Sequence, residues 1–325
     1  MAAIWTSVRT WPLRLLRPLS ASRFQRLAEA AVAGLFVVTV SGAVVRLTDS
    51  GLGCDNWPNC GETLLPAQEF HATVEFANRV VVVVGILPVI AAAIGAFRVS
   101  ALPRHVRVTA GAALLGTMAQ IPLGGITVRV GLHPLAVMSH FLLALIVLGL
   151  ATVVAVEARR FARGGSVPVP NSQTVRRVGR LAVALVPLAA VLVVTGAFVT
   201  AAGPHAGDEG VRRLGDFWEA LRVHVWVSGA FGIGFAGLLA GLWRLRRLTL
   251  VELRVGLGVL AVLVAQLVIG EVQKESGLPW ELVLAHVVLA TLVWIGMVAV
   301  GARLARHAQV GARAGVRQEY TLGHR

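Results

Sequence analysis

Eight long apolar segments constrain this chain more than any other feature of its sequence. Several of them run for about 20 residues with few charges, the length that an α-helix needs to cross the hydrocarbon core of a bilayer. Of the 325 residues, 56% are hydrophobic and 14% are charged, whereas a soluble domain carries about 25% charged residues. The sequence therefore predicts an all-α integral membrane protein with eight transmembrane helices.

The predicted spans fall into two groups of four. Their limits are Ala28–Val45, Ala72–Ala96, Val108–Val128, Leu135–Val156, Leu181–Val199, Glu219–Trp243, Leu250–Gly270 and Glu281–Ala302. A polar connection over residues 157–180, which contains glycine and proline helix breakers, separates a half at 28–156 from a half at 181–302. Residues 1–27 and 303–325 are predicted to be tails.

The distribution of charge predicts how the chain crosses the membrane. Arginines cluster in the two tails, in the 157–180 connection and in the short connections near residues 98–107 and 244–247, while most acids lie in the other loops. This positive-inside pattern places both termini in the cytoplasm, and we expect a bacterial cell (plasma) membrane. The net charge of +14 therefore reflects membrane topology and contact with lipid, and it does not indicate a nucleic-acid partner.

Polar residues inside the apolar segments repeat at a spacing of 146. The repeated pairs are His140 and His286, Gln120 and Gln266, Gly124 and Gly270, and Gly131 and Gly277. At the same spacing, His224 is matched by Asn78. Because each half has an even number of spans, the repeat is predicted to be parallel, with two four-helix bundles related by an axis along the membrane normal.

The three histidines and Asn78 of the repeat are predicted to lie at one depth in the membrane. Asn78, His140, His224 and His286 each lie five or six residues inside a helix that starts at the outer face, roughly 8–9 Å below the boundary at 1.5 Å per residue. Ionisable groups in a membrane are expensive and indicate function. Two imidazoles on facing helices of one half are typical axial ligands of haem iron, whereas a single membrane histidine more often serves helix packing.

The first half lacks the second imidazole. Because the amide of Asn78 is a poor iron ligand, this site is predicted to leave one iron position open or exchangeable beside His140. His71, which lies seven residues before Asn78, is an alternative ligand if the helix extends that far.

A carboxylate is the other asymmetric feature of the first half. Glu75 has Leu221 as its counterpart in the second half. One interpretation is a local ion pair with Arg79 at i+4, or contact with interfacial water. The other is a proton acceptor or charge stabiliser beside a reacting ligand, with Arg79 available to bind an acidic group of that ligand.

The two cysteines lie in the first external loop. Cys54 and Cys60 have five residues between them, and the outer face is oxidising, so a disulfide is predicted, either permanent or redox-active. A metal site would need further Cys or His ligands nearby.

Several segments together resemble one known family. They are Gly42 to Thr48 with Ser50 to Cys54, Trp57-Pro58 with Cys60, Glu75 to Arg79, Gln120 to Thr127, Thr195 to Ala197, Gly203 to Asp208, Gln266 to Gln273, and the helices of His140, His224 and His286. Over essentially all eight spans the chain resembles haem A synthase. That resemblance implies two successive hydroxylations that convert the C8 methyl of haem O to the formyl group of haem A.

The resemblance also implies roles for individual residues. It places a cofactor haem b iron between His224 and His286, with electrons passing through that haem, and it places the substrate haem O beside His140. It implies haem O synthase (a farnesyltransferase) and cytochrome c oxidase assembly as partners.

The family's Glu-x-x-His-Arg motif lies in the second span of this chain. It makes Glu75 the catalytic carboxylate, with Arg79 at the substrate haem, and the family's external cysteine pair corresponds to Cys54 and Cys60. Asn78 departs from the motif, because the family has His at that position.

Three other functions fit part of the pattern. A two-haem cytochrome b-type electron carrier would need four equivalent ligands, whereas one is Asn78. A haem-delivery protein for oxidase assembly would not need Glu75. A transporter without haem would leave the common depth of the histidines unexplained.

Overall fold

The chain folds into eight α-helices. The structure is a computed structural model that describes residues 18–54, 57, 60, 69–165, 172–208 and 210–309, and no strand occurs among them. The helices are α1 Ala21–Leu47, α2 Phe70–Arg98, α3 Arg104–Arg129, α4 Pro134–Ala162, α5 Gln173–Ala202, α6 Phe217–Arg244, α7 Leu250–Glu275 and α8 Trp280–Gln309. All eight are long and apolar enough to cross a membrane. The prediction of an all-α multi-pass membrane protein with eight spans is confirmed.

The helices extend beyond the predicted spans mainly at one end. The even-numbered helices begin within two residues of their predicted starts, but α4 runs to Ala162 and α5 begins at Gln173, inside the predicted 157–180 connection. Ser172 caps α5 by accepting a hydrogen bond from the N–H of Val175 at 3.2 Å. Arginine side chains can keep their heads in water while the backbone stays helical, so these polar segments continue the helices. Of the predicted tails, residues 1–17 and 310–325 lie outside the described residues.

Each group of four helices shows the same set of contacts. In the first group α1 packs on α2 and α4, and α3 packs on α4; in the second group α5 packs on α6 and α8, and α7 packs on α8. The backbones of α1 and α2 approach closely at Gly34, since glycine has no Cβ there. A Cβ at Gly34 would lie only 2.6 Å from the carbonyl oxygen of Gly85. The groups meet along α4 and α8, where Trp294 Nε1 donates to the carbonyl of Leu145 at 2.7 Å. The parallel-repeat relation of the two groups remains a prediction.

The turns before α4 and α8 have the same backbone conformation. Gly131 and Leu132 both have positive φ (60° and 54°), as do Gly277 and Leu278 (76° and 61°). In each turn the leucine N–H reaches back to a carbonyl in the last turn of the preceding helix. The resemblance between these segments in the sequence therefore corresponds to a shared turn that sets where each histidine-bearing helix begins.

The connections after α1, α3, α5 and α7 gather at one end of the bundle, which we call the loop face. Gly51 N–H donates to Gly207 O at 3.0 Å, and His205 Nε2 lies 2.8 Å from Leu278 O. The opposite end, the linker face, carries ion pairs such as Arg159 with Glu29 at 2.8 Å.

Candidate functional site

The four candidate ligand positions lie in one layer near the loop face. His140 and His286 are each the seventh residue of their helices, His224 is the eighth of α6, and Asn78 is the ninth of α2. All four therefore lie about two helical turns from the loop face.

Each histidine packs on a glycine of a neighbouring helix. A Cβ at Gly124, Gly196 or Gly270 would lie 3.3, 3.1 or 3.1 Å from Cε1 of His140, His224 or His286, respectively. Side chains larger than glycine would displace these rings, so the glycines fix where the imidazoles lie. Gly42 is the first-half counterpart of Gly196, and a Cβ there would have nothing within 4 Å. The smaller side chain of Asn78 leaves that space open.

A hydroxyl sets the protonation of the His224 ring. Thr195 Oγ1 donates its hydrogen to the carbonyl of Leu192 at 2.9 Å, so the same oxygen accepts from Nδ1–H of His224, 3.0 Å away. A neutral imidazole that donates through Nδ1 has its lone pair on Nε2, the form that binds a metal ion. This contact with α5 leaves the lone pair of His224 on Nε2.

The first half has a hydroxyl at the corresponding position, but this hydroxyl donates to an amide. Ser41 lies within 3.0 Å of Val38 O and donates to Asn78 Oδ1 at 2.7 Å. The rest of the Asn78 side chain is an NH2 group, which donates hydrogen bonds and offers no lone pair to iron. Sequence reasoning missed both hydroxyls, although Ser41-Gly42 and Thr195-Gly196 are repeated dipeptides that could have revealed them.

His140 and His286 have equivalent surroundings. Nδ1 of each ring is buried and has no hydrogen-bond partner among the described residues. Gln120 Nε2 donates to the backbone carbonyl of His140 at 3.1 Å, which ties α3 to α4 at this level. His224 packs on Gly196 of α5 and His286 packs on Gly270 of α7, and both α5 and α7 pack on α8. The structure therefore places the two histidines of the second half in one layer of the same four-helix group.

Glu75 is a buried carboxylate whose two oxygens both accept hydrogen bonds. Its residue exposure is 5%; Oε1 pairs with Arg79, and Oε2 accepts from the backbone N–H of Cys54 at 2.8 Å. The ion pair expected from the i,i+4 spacing is present. The second contact comes from the first loop and could not be read from the sequence. Glu75 is held from two directions, one turn nearer the loop face than Asn78.

The first loop is closed by a disulfide. Cys54 and Cys60 are bonded to each other and buried, and their sulfurs each lie 4.0 Å from Ala72 O on α2. The ring of Trp57, between them, packs on α3, where a Cβ at Gly125 would lie 3.1 Å from it. The described residues of the loop therefore contact Glu75 through Cys54 and α3 through Trp57.

Two further histidines, His71 and His205, contact loop residues at the loop face. His71 is exposed at the second position of α2, where its Nδ1 shares a hydrogen bond with Ser50 Oγ at 3.0 Å. His205 joins the connection before α6 to Leu278. These contacts hold loops onto the helix ends.

The fold and these contacts define a class of protein: a multi-pass helical membrane protein with three imidazoles packed on glycines at one depth, one of them hydrogen-bonded to a hydroxyl. The chain belongs to the COX15-CtaA family, described as cytochrome oxidase assembly protein, which matches residues 25–207, more than half of the chain. The family resemblance indicated by the sequence motifs is confirmed. The match contains Glu75, Asn78, Arg79 and His140 and ends before α6.

Individual relatives agree with this family. The chain is 31% identical to the heme A synthase of Lysinibacillus sphaericus over 121 residues, 37% of this chain and 39% of that protein. It is 27% identical to the heme A synthase of Bacillus licheniformis over 218 residues, 65% of this chain and 70% of that protein. It is also 32% identical to protoheme IX farnesyltransferase 1 of Natronomonas pharaonis over 136 residues, 39% of this chain and 28% of that protein. The chain thus spans about two fifths of the length of the Lysinibacillus relative.

Proposed function

We propose that this protein is a haem A synthase, which oxidises the C8 methyl of haem O to a formyl group by two successive hydroxylations. Family membership and the two heme A synthase relatives support this proposal. The observation that carries it is the asymmetry within a repeated arrangement. The second half presents two imidazoles, whereas the first half presents one imidazole, an amide and a buried carboxylate.

The second half is proposed to hold a resident haem b. His224 and His286 fit this group, since they lie at one depth in the same four-helix group, and a hydrogen bond from Nδ1 of His224 to Thr195 leaves Nε2 free to bind iron. A haem with two axial imidazoles supplies one-electron transfer. The contribution of the protein is to keep both rings oriented by Gly196 and Gly270.

The first half is proposed to hold the substrate haem O. His140 would bind its iron on one side, and Asn78 would leave the other side without a protein ligand. A haem whose iron is bound by one protein side chain can bind and dissociate more easily than a haem whose iron is bound by two. Arg79 is proposed to contribute to binding the acidic groups of the substrate while it also pairs with Glu75.

Glu75 is proposed to act on the reacting methyl group. Removing electrons from that carbon makes it electron-poor, and a fixed carboxylate stabilises the developing positive charge. Each two-electron oxidation is proposed to consume one water and release two protons: the first gives an alcohol, and the second gives a hydrated aldehyde that loses water. The four electrons are proposed to leave one at a time through the second-half haem to a one-electron acceptor outside this chain. Arg79 and the N–H of Cys54 hold the carboxylate in place without reorganisation.

The membrane setting and partners follow from the same proposal. We propose a bacterial cell membrane with both termini in the cytoplasm, so that the loop face is the outer face. The halves at 28–156 and 181–302 are the substrate and haem b domains. Haem O synthase is proposed as the partner that supplies the farnesylated substrate, because haem O carries the farnesyl group before the methyl group is oxidised. Cytochrome c oxidase assembly would receive the product.

The test is a Glu75→Gln variant, which keeps the shape of the side chain and removes its charge. We expect haem A to fall by roughly 100-fold or more and haem O to accumulate, because an essential charged group is lost. Pigments extracted from cells with the wild-type, variant or no gene, separated by chromatography, measure both haems. Glu271→Gln, at an exposed carboxylate on α7, is the control and should leave haem A unchanged. Undiminished haem A in Glu75→Gln would remove Glu75 from the reaction, and a wild-type protein that makes none would favour a haem carrier.

A further inference from the structure

Two arginines meet at the loop face, beside the end of α5. Arg46, in the last turn of α1, donates from Nη2 to the carbonyl of Thr200 at 2.7 Å. Arg213 lies in the connection before α6, and the N–H of the next residue, Leu214, donates to Ala201 O at 3.0 Å. Consecutive carbonyls of α5 therefore fix a side chain from the first half and a loop from the second half at one place.

These two cations have no anionic partner in the part of the chain that the structure describes. Nε of Arg46 and Nη1 of Arg213 are buried and lack hydrogen-bond partners, and neither residue forms an ion pair there. Asp208, in the same connection, accepts from the N–H of Gly210. The two guanidinium groups also lie within electrostatic reach of each other.

Such a pair of charges is costly without an anion. The carbonyl end of α5 offsets part of the cost, since helix C-termini favour cations. Burying like charges with unsatisfied donors remains unfavourable, and a guanidinium group pairs best with a carboxylate or phosphate. The site therefore has the chemistry of an anion-binding site.

The position of the pair relative to the imidazoles indicates which anion. Thr200 follows Gly196, which packs on His224, by four residues, so Arg46 binds α5 about one turn, roughly 5.4 Å, nearer the loop face. A porphyrin held by His224 and His286 would therefore have the end of α5, with both arginines, on its loop-face side.

We propose that Arg46 and Arg213 bind the propionate carboxylates of the porphyrin held by His224 and His286. This inference rests on the proposed haem site of the second half. The second-half haem is favoured over the first-half haem as the partner of these arginines, because Arg213 and Thr200 both belong to the second half. The connection that carries Arg213 is also joined by His205 to Leu278, just before α8.

The experiment is a titration of full-length protein purified in detergent from haem-deficient cells. Haemin and haemin dimethyl ester have the same iron and ring, but the ester lacks free carboxylates, and Soret absorbance reports the binding of each. Arg213→Gln is the main variant because its side chain makes no described backbone contact that the fold needs. Arg212→Gln, at the exposed neighbouring arginine, is the matched control.

We expect Arg213→Gln to weaken haemin binding about tenfold, the loss of one charge-assisted hydrogen bond, and to leave ester binding unchanged. Arg212→Gln should match the wild type for both compounds. An unchanged ratio of haemin to ester affinity in Arg213→Gln would overturn the inference. If the variant instead loses bound phospholipid phosphorus at an unchanged ratio, the anion is a lipid headgroup.

A His224→Ala variant separates this inference from the proposed function. It should lose the second-half binding step for both compounds, because it removes an axial ligand and no carboxylate contact, whereas the first-half site at His140 keeps its ligand. If His224→Ala binds both normally, the axial assignment fails, whereas the haemin-to-ester ratio of Arg213→Gln still reports on the arginines.

Discussion

The two halves of the bundle hold different side chains in the same way. In the second half Thr195 fixes an imidazole and Gly196 lies against it, whereas in the first half Ser41 fixes the amide of Asn78 and leaves space beside Gly42. The helix contacts are the same in both. The proposed closed haem site of the second half and the proposed open site of the first half therefore differ at one ligand position, His224 against Asn78.

The second difference is the carboxylate. Leu221 of α6 has no polar role, but its counterpart Glu75 joins the second helix to the disulfide loop through the N–H of Cys54. The loop therefore belongs to the first-half site, and nothing equivalent contacts α6 in the described connection before it. The comparison predicts that variants of the two halves fail in different ways.

The largest effect is expected from His224→Ala. Removal of an axial ligand should lower the haem b bound per protein by about 100-fold. Loss of a group that only supports a metal ligand already lowers metal affinity by about 10- to 100-fold, and an axial ligand binds the iron itself. Absorbance of the reduced protein and a haem assay per mole of purified protein measure this. His105→Ala, at an exposed histidine near the linker face, should retain full haem content.

Undiminished haem b in His224→Ala would show that His224 is not an axial ligand and that the second half is not the closed haem site. The family match cannot support that assignment, because it ends at residue 207.

The sequence predicted the fold well because its signal is local. Length and hydropathy are enough to identify a span, and the starts of the helices at the loop face follow from turns such as Gly131-Leu132. The linker-face ends were predicted too short, since helical hydrogen bonds continue through polar segments such as the one that Ser172 caps.

The site was only partly predictable, because much of it depends on contacts between residues that are far apart in the sequence. The 146-residue spacing identified the histidines, but which glycine faces which ring depends on how the helices pack. The contact of Glu75 with Cys54 joins two helices and a loop, and the meeting of Arg46 with Arg213 joins both halves. Neither contact leaves a pattern in the spacing of residues.

A moderate effect is expected from Asn78→His, which would make the first half resemble the second. The open space beside Gly42 can accept the ring, and Ser41 can hold its Nδ1 as Thr195 holds His224. Substrate haem should bind about tenfold more tightly through the added ligand, and its spectrum should become that of a six-coordinate low-spin haem. Titration with haem O in a His224→Ala background measures this without the resident haem.

Asn78→Gln is the matched control for this variant, because it keeps an amide and adds no iron ligand. An Asn78→His protein whose spectrum and affinity equal those of the control would show that position 78 does not face the substrate iron. His71 would then become the alternative ligand to test.

The smallest effect is expected from replacing both cysteines by serine. Without the Cys54–Cys60 bond the loop gains freedom, and Glu75 loses a fixed donor to Oε2 while Arg79 still holds Oε1. Haem A formation should fall several-fold, up to about tenfold, as expected for one hydrogen bond to a charged group. Haem b bound by the second half should stay constant, since neither cysteine contacts it.

The same double variant distinguishes the two roles of the disulfide. A bond that only positions Glu75 leaves measurable haem A, and Cys54→Ser and Cys60→Ser alone should match the double variant. A bond that takes part in electron transfer would abolish haem A completely, although Glu75 and His140 are intact. Loss of haem b in parallel would contradict the separation of the halves, because the first loop would then support the second site as well.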